Sequence, residues 1–180
     1  MADTYAVIGD PIDHSLSPNI HNAAFRHLKL DHSYIAYKIS AGELAAGIDS
    51  LKKIKIAGFN VTIPHKIEIM KFLDDMDTTS KVIGAVNTVS NENGKLKGYN
   101  TDMIGFLDPI KKKNLAIKDS QVLLLGAGGA ARAILTAMIK EKASKITIVN
   151  RTQENANKLA DFAKKIGGNV DTVSIEKANE

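Results

Sequence analysis

Short apolar runs alternate with segments whose apolar residues recur at helical spacing along most of this chain. The apolar runs predict strands at residues 5–9, 34–39, 85–89, 95–99, 121–125, 145–149 and 170–175, and a further short strand that ends at residues 55–57. The periodic segments predict helices at residues 18–28, 41–53, 78–83 and 153–166, with further helices beginning at 64, at 102 and after 131. Strands that alternate with helices favour an α/β fold with a mostly parallel sheet.

The first predicted helix carries Ile20, Ala23 and Leu28 on one face, and we expect that face to be buried. Ser17 stands before Pro18 and has the form of an N-cap before a proline at the first helical position. A capping role and a ligand role are equally open for Ser17.

Two prolines set expectations for later helices. Pro64 is expected to begin a helix in which Ile67 and Leu73 lie at helical spacing. Pro109 is expected to kink or end early the helix that starts at Asp102.

The polar stretch at residues 111–119 divides the chain into two predicted domains. Residues 1–113 form an α/β domain with a linking helix, and residues 114–180 form one half of a doubly wound nucleotide-binding sheet, which normally has two halves. The partner edge of that half-sheet would be exposed, so we expect either a fragment or a covering element.

A glycine loop lies between a strand and a helix in the second predicted domain. Gly126, Gly128 and Ala131 match G-x-G-x-x-G/A, in which glycines allow a tight turn and close approach of the backbone to a pyrophosphate. The residues expected to bind the cofactor here are Gly126, Ala127, Gly128, Gly129 and Ala130.

The next strand ends in Asn150, Arg151 and Thr152, about 20 residues beyond the loop, where NAD-binding proteins carry a carboxylate. An arginine at this position accommodates the 2′-phosphate of NADP, so NADP is favoured over NAD. A role as an ordinary surface arginine is less favoured for Arg151, whereas for Arg132 a phosphate contact and a solvent-facing position are equally open.

Composition excludes several classes of protein. The chain is 44% hydrophobic and 24% charged, with no cysteine and no apolar run near the length of a membrane span, so we expect a cytoplasmic protein without disulfides. The net charge of +4 comes from scattered lysines without stacking aromatics, which argues against nucleic acid as a partner. The five histidines lack the paired spacing of a metal site, and His65 is interpreted as structural.

The first predicted domain carries polar side chains at strand ends. Ser15 and Ser17, beside unpaired N–H groups at a helix start, make a plausible cradle for a carboxylate. Thr62 and Lys66 fall at a junction of strand and helix, where open α/β sheets place their ligands. Asp102 alone would be explained as a helix cap.

Six motifs together resemble the shikimate dehydrogenase family in order and spacing. They are HSLSP at 14–18, NVTIPHK at 60–66, GAVNT at 84–88, NTD at 100–102, GAGGAA at 126–131 and NRT at 150–152. The resemblance implies NADP-linked reduction of 3-dehydroshikimate to shikimate, in aromatic amino-acid biosynthesis, in a cleft between two α/β domains.

The resemblance also implies residue roles. Ser15 and Ser17 would hold the substrate carboxylate, Thr62, Asn87 and Asp102 would hold ring hydroxyls, and Lys66 and Asp102 would form the catalytic pair. Asn60 is left out of the catalytic set because a role in shaping the turn is open for it.

The chain departs from the family pattern at its far end, where the final third is lacking. We expect the second half of the cofactor domain and a returning helix with a substrate-binding glutamine to be missing with it, which puts catalysis by these 180 residues in doubt. The alternatives are a quinate/shikimate dehydrogenase, or a truncated, non-catalytic chain that binds shikimate or nucleotide or needs a partner. A homodimer is a further open alternative for the assembly of the protein.

Overall fold

The computed structural model describes residues 2–176, and the chain divides between Asn100 and Thr101 into two compact units. The first unit holds a six-stranded sheet, and the second holds a three-stranded parallel sheet. The predicted α/β class with parallel sheets is therefore confirmed. No helix within residues 2–176 is long and apolar enough to cross a membrane.

The first unit is built from short strands and helices in alternation. Its strands are β1 (Thr4–Gly9), β2 (Ser33–Lys38), β3 (Gly58–Val61), β4 (Asp75–Met76), β5 (Thr88–Glu92) and β6 (Lys95–Tyr99). Its helices are α1 (Ser17–His27), α2 (Leu44–Lys53), a 3₁₀ helix (Glu68–Phe72) and α3 (Thr78–Ile83). α3 has the bounds predicted for it; Asp77 caps its start by accepting a hydrogen bond from Ser80 N at 2.7 Å.

The strand order of the first sheet is β2-β1-β3-β5-β6-β4. β1 pairs in parallel with β2 and β3, whereas β5 is antiparallel to both β3 and β6. The carboxyl ends of β1 and β3 thus lie at one edge of the sheet, and the start of β5 reaches the same edge. Residues that follow β1 and β3, and residues that open β5, are brought together there.

The two faces of this sheet bury different residues because side chains alternate along each strand. Ala6 and Ile8 of β1 join a core that includes α2 residues such as Leu51. Val7 points to the other face, where it packs with Tyr34 and partly buried Phe25 of α1.

The prediction of which face of α1 is buried is wrong. Ile20 and Leu28 are each 63% exposed, and α1 instead turns His21, Asn22 and Phe25 toward the sheet. His21 stacks on Tyr34 of β2 and Asn22 hydrogen-bonds to it, contacts that apolar periodicity does not predict.

The helix expected from Pro64 is also different in the structure. Residues 63–67 form turns, and the segment continues as a 3₁₀ helix of five residues that buries Ile69, while Ile67 is exposed. A short segment that ends before Asp74 has room for little more than this, and 3₁₀ geometry is typical of such short pieces.

The second unit alternates strands and helices throughout. Its elements are α4 (Asp102–Lys112), β7 (Gln121–Leu125), α5 (Gly129–Lys140), β8 (Lys145–Asn150), α6 (Gln153–Lys165) and β9 (Val170–Ser174). The strand order is β7-β8-β9 with both pairs parallel. α4 packs against α5 in this unit, so the helix predicted to close the first domain at residue 113 groups with the second.

Two expectations for the second unit are corrected. α4 continues through Pro109 to Lys112, and its buried residues, Met103 and Leu107, both lie before the proline. The apolar run of β7 predicts a buried strand, but Leu123 and Leu125 are 62% and 73% exposed. β7 is an edge strand of the three-stranded sheet, and only Leu124 of its three leucines is buried.

Gly9, the last residue of β1, provides a test of how tightly the protein is packed at the edge where β1 and β3 end. A Cβ atom at Gly9 would lie 2.5 Å from Thr62 Cγ2 and 2.6 Å from Ile63 O. We expect Gly9→Ala to lower the free energy of unfolding of the first unit by about 1–3 kcal/mol, since backbone must shift. Urea unfolding followed by circular dichroism measures this.

The matched control is Gly105→Ala in α4, where an added Cβ meets nothing within 4 Å. That change should stabilise the second unit by about 0.5–1 kcal/mol, because alanine loses less backbone entropy than glycine in a helix. A Gly9→Ala chain as stable as the starting chain would show that the edge is not tightly packed.

Candidate active site

Three of the predicted substrate-binding residues line one cavity of the first unit. Ser15, Ser17 and Thr62 border a space of about 340 Å³ at the edge where β1 and β3 end. The remaining lining residues are Val7, Pro11, Ile12 and His14. The cavity therefore combines three hydroxyl groups with an apolar floor, which suits a small polar ligand.

The segment after β1 holds the two serines at the start of α1. Ser15 N donates to Ile12 O at 2.9 Å, and Ser15 Oγ accepts from Ser17 N at 3.3 Å. The N-cap position is Leu16, without a side-chain cap bond, so the capping role considered for Ser17 is excluded. The first-turn N–H groups of α1 and two nearby hydroxyls can together bind a carboxylate.

Main-chain hydrogen bonds hold Thr62, Lys66 and Asn87 in one region of the first unit. Thr62 N donates to Ile8 O at 2.9 Å, and Val86 N donates to Lys66 O at 2.7 Å. Val61 N donates to Asn87 O at 2.8 Å. Lys66 is half-buried, and Asn87 is 9% exposed. The backbones of Lys66 and Asn87 thus lie near the edge that bears the hydroxyl-lined cavity, but neither residue lines that cavity.

Asp102 is the first residue of α4 and belongs to the second unit. It is half-buried, and the N-cap residue before it, Thr101, makes no side-chain cap bond. The pairing of Asp102 with Lys66 stays a prediction.

His65 has the structural role expected of it. Its side chain is fully buried, and Nε2 lies 2.7 Å from Ile39 O. Because a carbonyl oxygen only accepts, Nε2 carries the proton and donates. The contact ties the turn before Lys66 to the end of β2.

The glycine loop of the second unit fits a phosphate group. Gly126 has φ +109°, a conformation that favours glycine, and Gly126 N donates to Val149 O at 2.8 Å. A Cβ atom at Gly128 would meet nothing within 4 Å, so the loop leaves open space where α5 begins. The first intrahelical bond of α5 runs from Arg132 N to Gly128 O, so earlier N–H groups point beyond the helix start.

The second part of the predicted cofactor site directly follows β8, which pairs with β7 beside the loop. Asn150 Nδ2 donates to Thr152 O at 2.8 Å and shapes the turn, while Arg151 is exposed. The guanidinium of Arg132 lies 4.0 Å from the centre of the Phe162 ring, and burial lowers the pKa of Arg132. Arg132 is therefore engaged in packing between α5 and α6.

Sequence reasoning missed His14, Pro11 and Ile12 as lining residues of the cavity. All three lie in or beside the HSLSP stretch, so the segment itself was the available signal. Asp10, which precedes them, is held by a side-chain hydrogen bond from Ser40 and by Lys38, and these contacts lower the pKa of its carboxyl. Within residues 2–176 no group of three or more His, Cys, Asp or Glu could hold a metal ion.

Comparison with known proteins follows the same division of the chain. Residues 7–89 match the family model for the shikimate dehydrogenase substrate binding domain, and residues 109–180 match that for shikimate / quinate 5-dehydrogenase. The chain is 64% identical, over all 180 residues, to a shikimate dehydrogenase (NADP(+)) from Nitrosopumilus maritimus (strain SCM1), and spans 66% of that protein.

Two solved structures give the same result. The crystal structure of shikimate dehydrogenase from Aquifex aeolicus is 45% identical, with a TM-score of 0.84, covering 96% of this chain and 62% of the other. A shikimate 5-dehydrogenase from Thermus thermophilus, in complex with NADP(H) and shikimate, is 32% identical with a TM-score of 0.79, covering 96% and 68%. The chain thus spans about two thirds of the length of its relatives, and it belongs to the shikimate dehydrogenase family.

Proposed function

We propose that this protein catalyses the reversible, NADPH-dependent reduction of 3-dehydroshikimate to shikimate. The observation that carries the proposal is the cavity of the first unit, in which Ser15, Ser17 and Thr62 converge. The Thermus thermophilus relative, whose structure contains shikimate and NADP(H), supports this choice of ligands. The reaction belongs to aromatic amino-acid biosynthesis, and we place it in the cytoplasm.

The hydroxyl groups of the cavity suit the two polar features of this substrate. Ser15 and Ser17, with the N–H groups at the start of α1, bind the carboxylate. Thr62 and Asn87 bind ring hydroxyls from the ends of β3 and β5. The apolar floor formed by Val7 and its neighbours lies under the carbon ring.

Lys66 supplies the proton for the reduction. The nicotinamide of NADPH, when bound, supplies the hydride to the carbonyl carbon. The ammonium group of Lys66 donates a proton to the carbonyl oxygen as negative charge develops there. In this proposal the carboxylate of Asp102 keeps the ammonium charged and oriented, and the reverse reaction returns the proton to Lys66.

The second unit holds the cofactor by its phosphates. The loop from Gly126 to Ala130 and the start of α5 bind the pyrophosphate, because the loop is open at Gly128 and directs backbone N–H groups outward. Arg151, with Asn150 and Thr152, binds the 2′-phosphate that distinguishes NADP from NAD.

Calorimetry with shikimate and with NADPH, run beside an assay of NADP⁺-dependent shikimate oxidation, tests the proposal. We expect both ligands to bind and oxidation to occur. Absence of shikimate binding would contradict the proposal. Binding of both ligands without turnover would identify a non-catalytic chain, and activity with quinate and NAD⁺ would identify a quinate/shikimate dehydrogenase.

Lys66→Ala is expected to lower turnover about 10²- to 10⁴-fold, the usual contribution of a general acid, while shikimate still binds. Lys66→Arg should also lose turnover although it keeps the positive charge, because arginine does not release its proton near neutral pH. The rate of shikimate oxidation and the calorimetric Kd separate the two effects. Lys71→Ala, at an exposed position of the 3₁₀ helix, serves as the control; unchanged turnover in Lys66→Ala would refute the role.

Arg151→Ala is expected to weaken NADPH binding about 10- to 100-fold, since a charge-assisted contact with the 2′-phosphate is lost. NADH binding should change far less, because NADH lacks that phosphate. Both affinities are measured by calorimetry. Arg26→Ala, an exposed arginine of α1, is the control, and equal losses for the two cofactors would count against the phosphate contact.

A further inference from the structure

Four polar side chains form a hydrogen-bonded series across the first sheet, from Tyr34 on β2 to Asn87 at the start of β5. Tyr34 Oη lies 2.6 Å from Asn60 Oδ1, and Asn60 Nδ2 lies 3.1 Å from Thr88 Oγ1. Thr88 Oγ1 lies 2.9 Å from Asn87 Oδ1. The series ends on a residue that the proposed function assigns to the substrate.

Chemistry fixes the directions of the bonds that Asn60 makes in this series, and in the structure Thr88 Oγ1 donates to Asn87 Oδ1. Asn60 Nδ2 also donates to the main-chain oxygen of Asn87 at 3.3 Å, and a carbonyl oxygen only accepts, so the amide of Asn60 has one orientation. Its Oδ1 therefore accepts from the hydroxyl of Tyr34. The oxygen of Thr88 accepts from Asn60, and its single proton is donated to Asn87 Oδ1.

The amide of Asn87 is consequently oriented as well. Its oxygen accepts from Thr88, so its Nδ2 is directed away from Thr88 and carries the two N–H donors. Both a hydroxyl and a ketone oxygen can accept a hydrogen bond from that group. The contact would survive whether the ring is oxidised or reduced.

The Tyr34 end of the series is held rigidly. Asn22 Nδ2 donates to Tyr34 O at 2.8 Å, and Tyr34 N donates to Asn22 Oδ1 at 2.9 Å. The ring of His21 stacks on that of Tyr34 with centroids 4.2 Å apart. Burial raises the pKa of Tyr34 to about 12, so its hydroxyl stays protonated and donates at neutral pH.

We propose that Tyr34, Asn60 and Thr88 are positioning residues that fix the side chain of Asn87 as a hydrogen-bond donor to a ring oxygen of the substrate. This inference rests on the proposed function, in which Asn87 binds a ring hydroxyl. It also assigns Asn60, for which the sequence pattern offers only a turn role, a part in orienting the site.

The first experiment compares two pairs of variants by calorimetry with shikimate. Thr88→Val keeps the shape of the side chain but removes its hydroxyl, and we expect shikimate affinity to fall about 3- to 10-fold, whereas Thr88→Ser restores it. Tyr34→Phe should lower the affinity about 2- to 5-fold. The control is Tyr37→Phe, since Tyr37 of the same strand packs against the core on the other face.

Two further readouts separate positioning from general damage. NADPH affinity and the melting temperature should stay close to those of the starting chain in Thr88→Ser and Tyr37→Phe. Because members of one series act together, the loss of binding free energy in the double variant Tyr34→Phe/Thr88→Val should be smaller than the sum of the losses in the two single variants. Additive losses would contradict the series.

Side-chain amide resonances of Asn60 and Asn87 in the ligand-free protein test the inference without substrate. Tyr34→Phe should shift both amide signals, and Tyr37→Phe should shift neither. If the starting chain binds no shikimate, the proposed function fails, while these spectra still decide the positioning role. If shikimate binds equally well to Thr88→Val and the Asn87 signal does not move in Tyr34→Phe, the inference is overturned.

Discussion

The parallel pairing of β1 with β3 is the constraint on which the site of the first unit depends. The register from Tyr5 opposite Gly58 to Ile8 opposite Val61 brings both strands to an end at the same edge. The segments that follow β1 and β3 stay in contact beyond the paired residues. Gly9 has no side chain to separate them, and Asp10 N donates to Ile63 O at 2.8 Å. Hydroxyls from segments far apart in sequence meet there through main-chain geometry alone.

The antiparallel strand β5 brings the residues at its start to the edge where β3 ends, which a parallel strand would not do. In a parallel neighbour the residues that open the strand would lie at the opposite edge, but antiparallel pairing sets Thr88 opposite Asn60. An amide near the end of β3 can therefore bond a hydroxyl at the start of β5. The same topology brings Asn87 to this edge of the sheet together with the side chains that are hydrogen-bonded to it.

Sequence patterns predicted most elements of this fold and the three hydroxyl-bearing residues of the cavity, but not its other lining residues. Local sequence predicted the bounds of α3, and the match to G-x-G-x-x-G/A predicted the glycine loop between β7 and α5. Apolar periodicity failed for α1, where half-buried His21 and Asn22 contact Tyr34 of β2. For Asn60 the sequence offered only a turn role, because its partner Tyr34 is 26 residues away and no local pattern joins the two.

The two arginines near the glycine loop, Arg132 and Arg151, differ in their burial and packing. The guanidinium of Arg132 stacks on the ring of Phe162 and is partly buried, so it contributes to the packing of α5 against α6. Arg151 is exposed at the end of β8, so a phosphate can approach it with little rearrangement of the protein. This difference in exposure supports the proposal that Arg151, rather than Arg132, binds the 2′-phosphate of NADP.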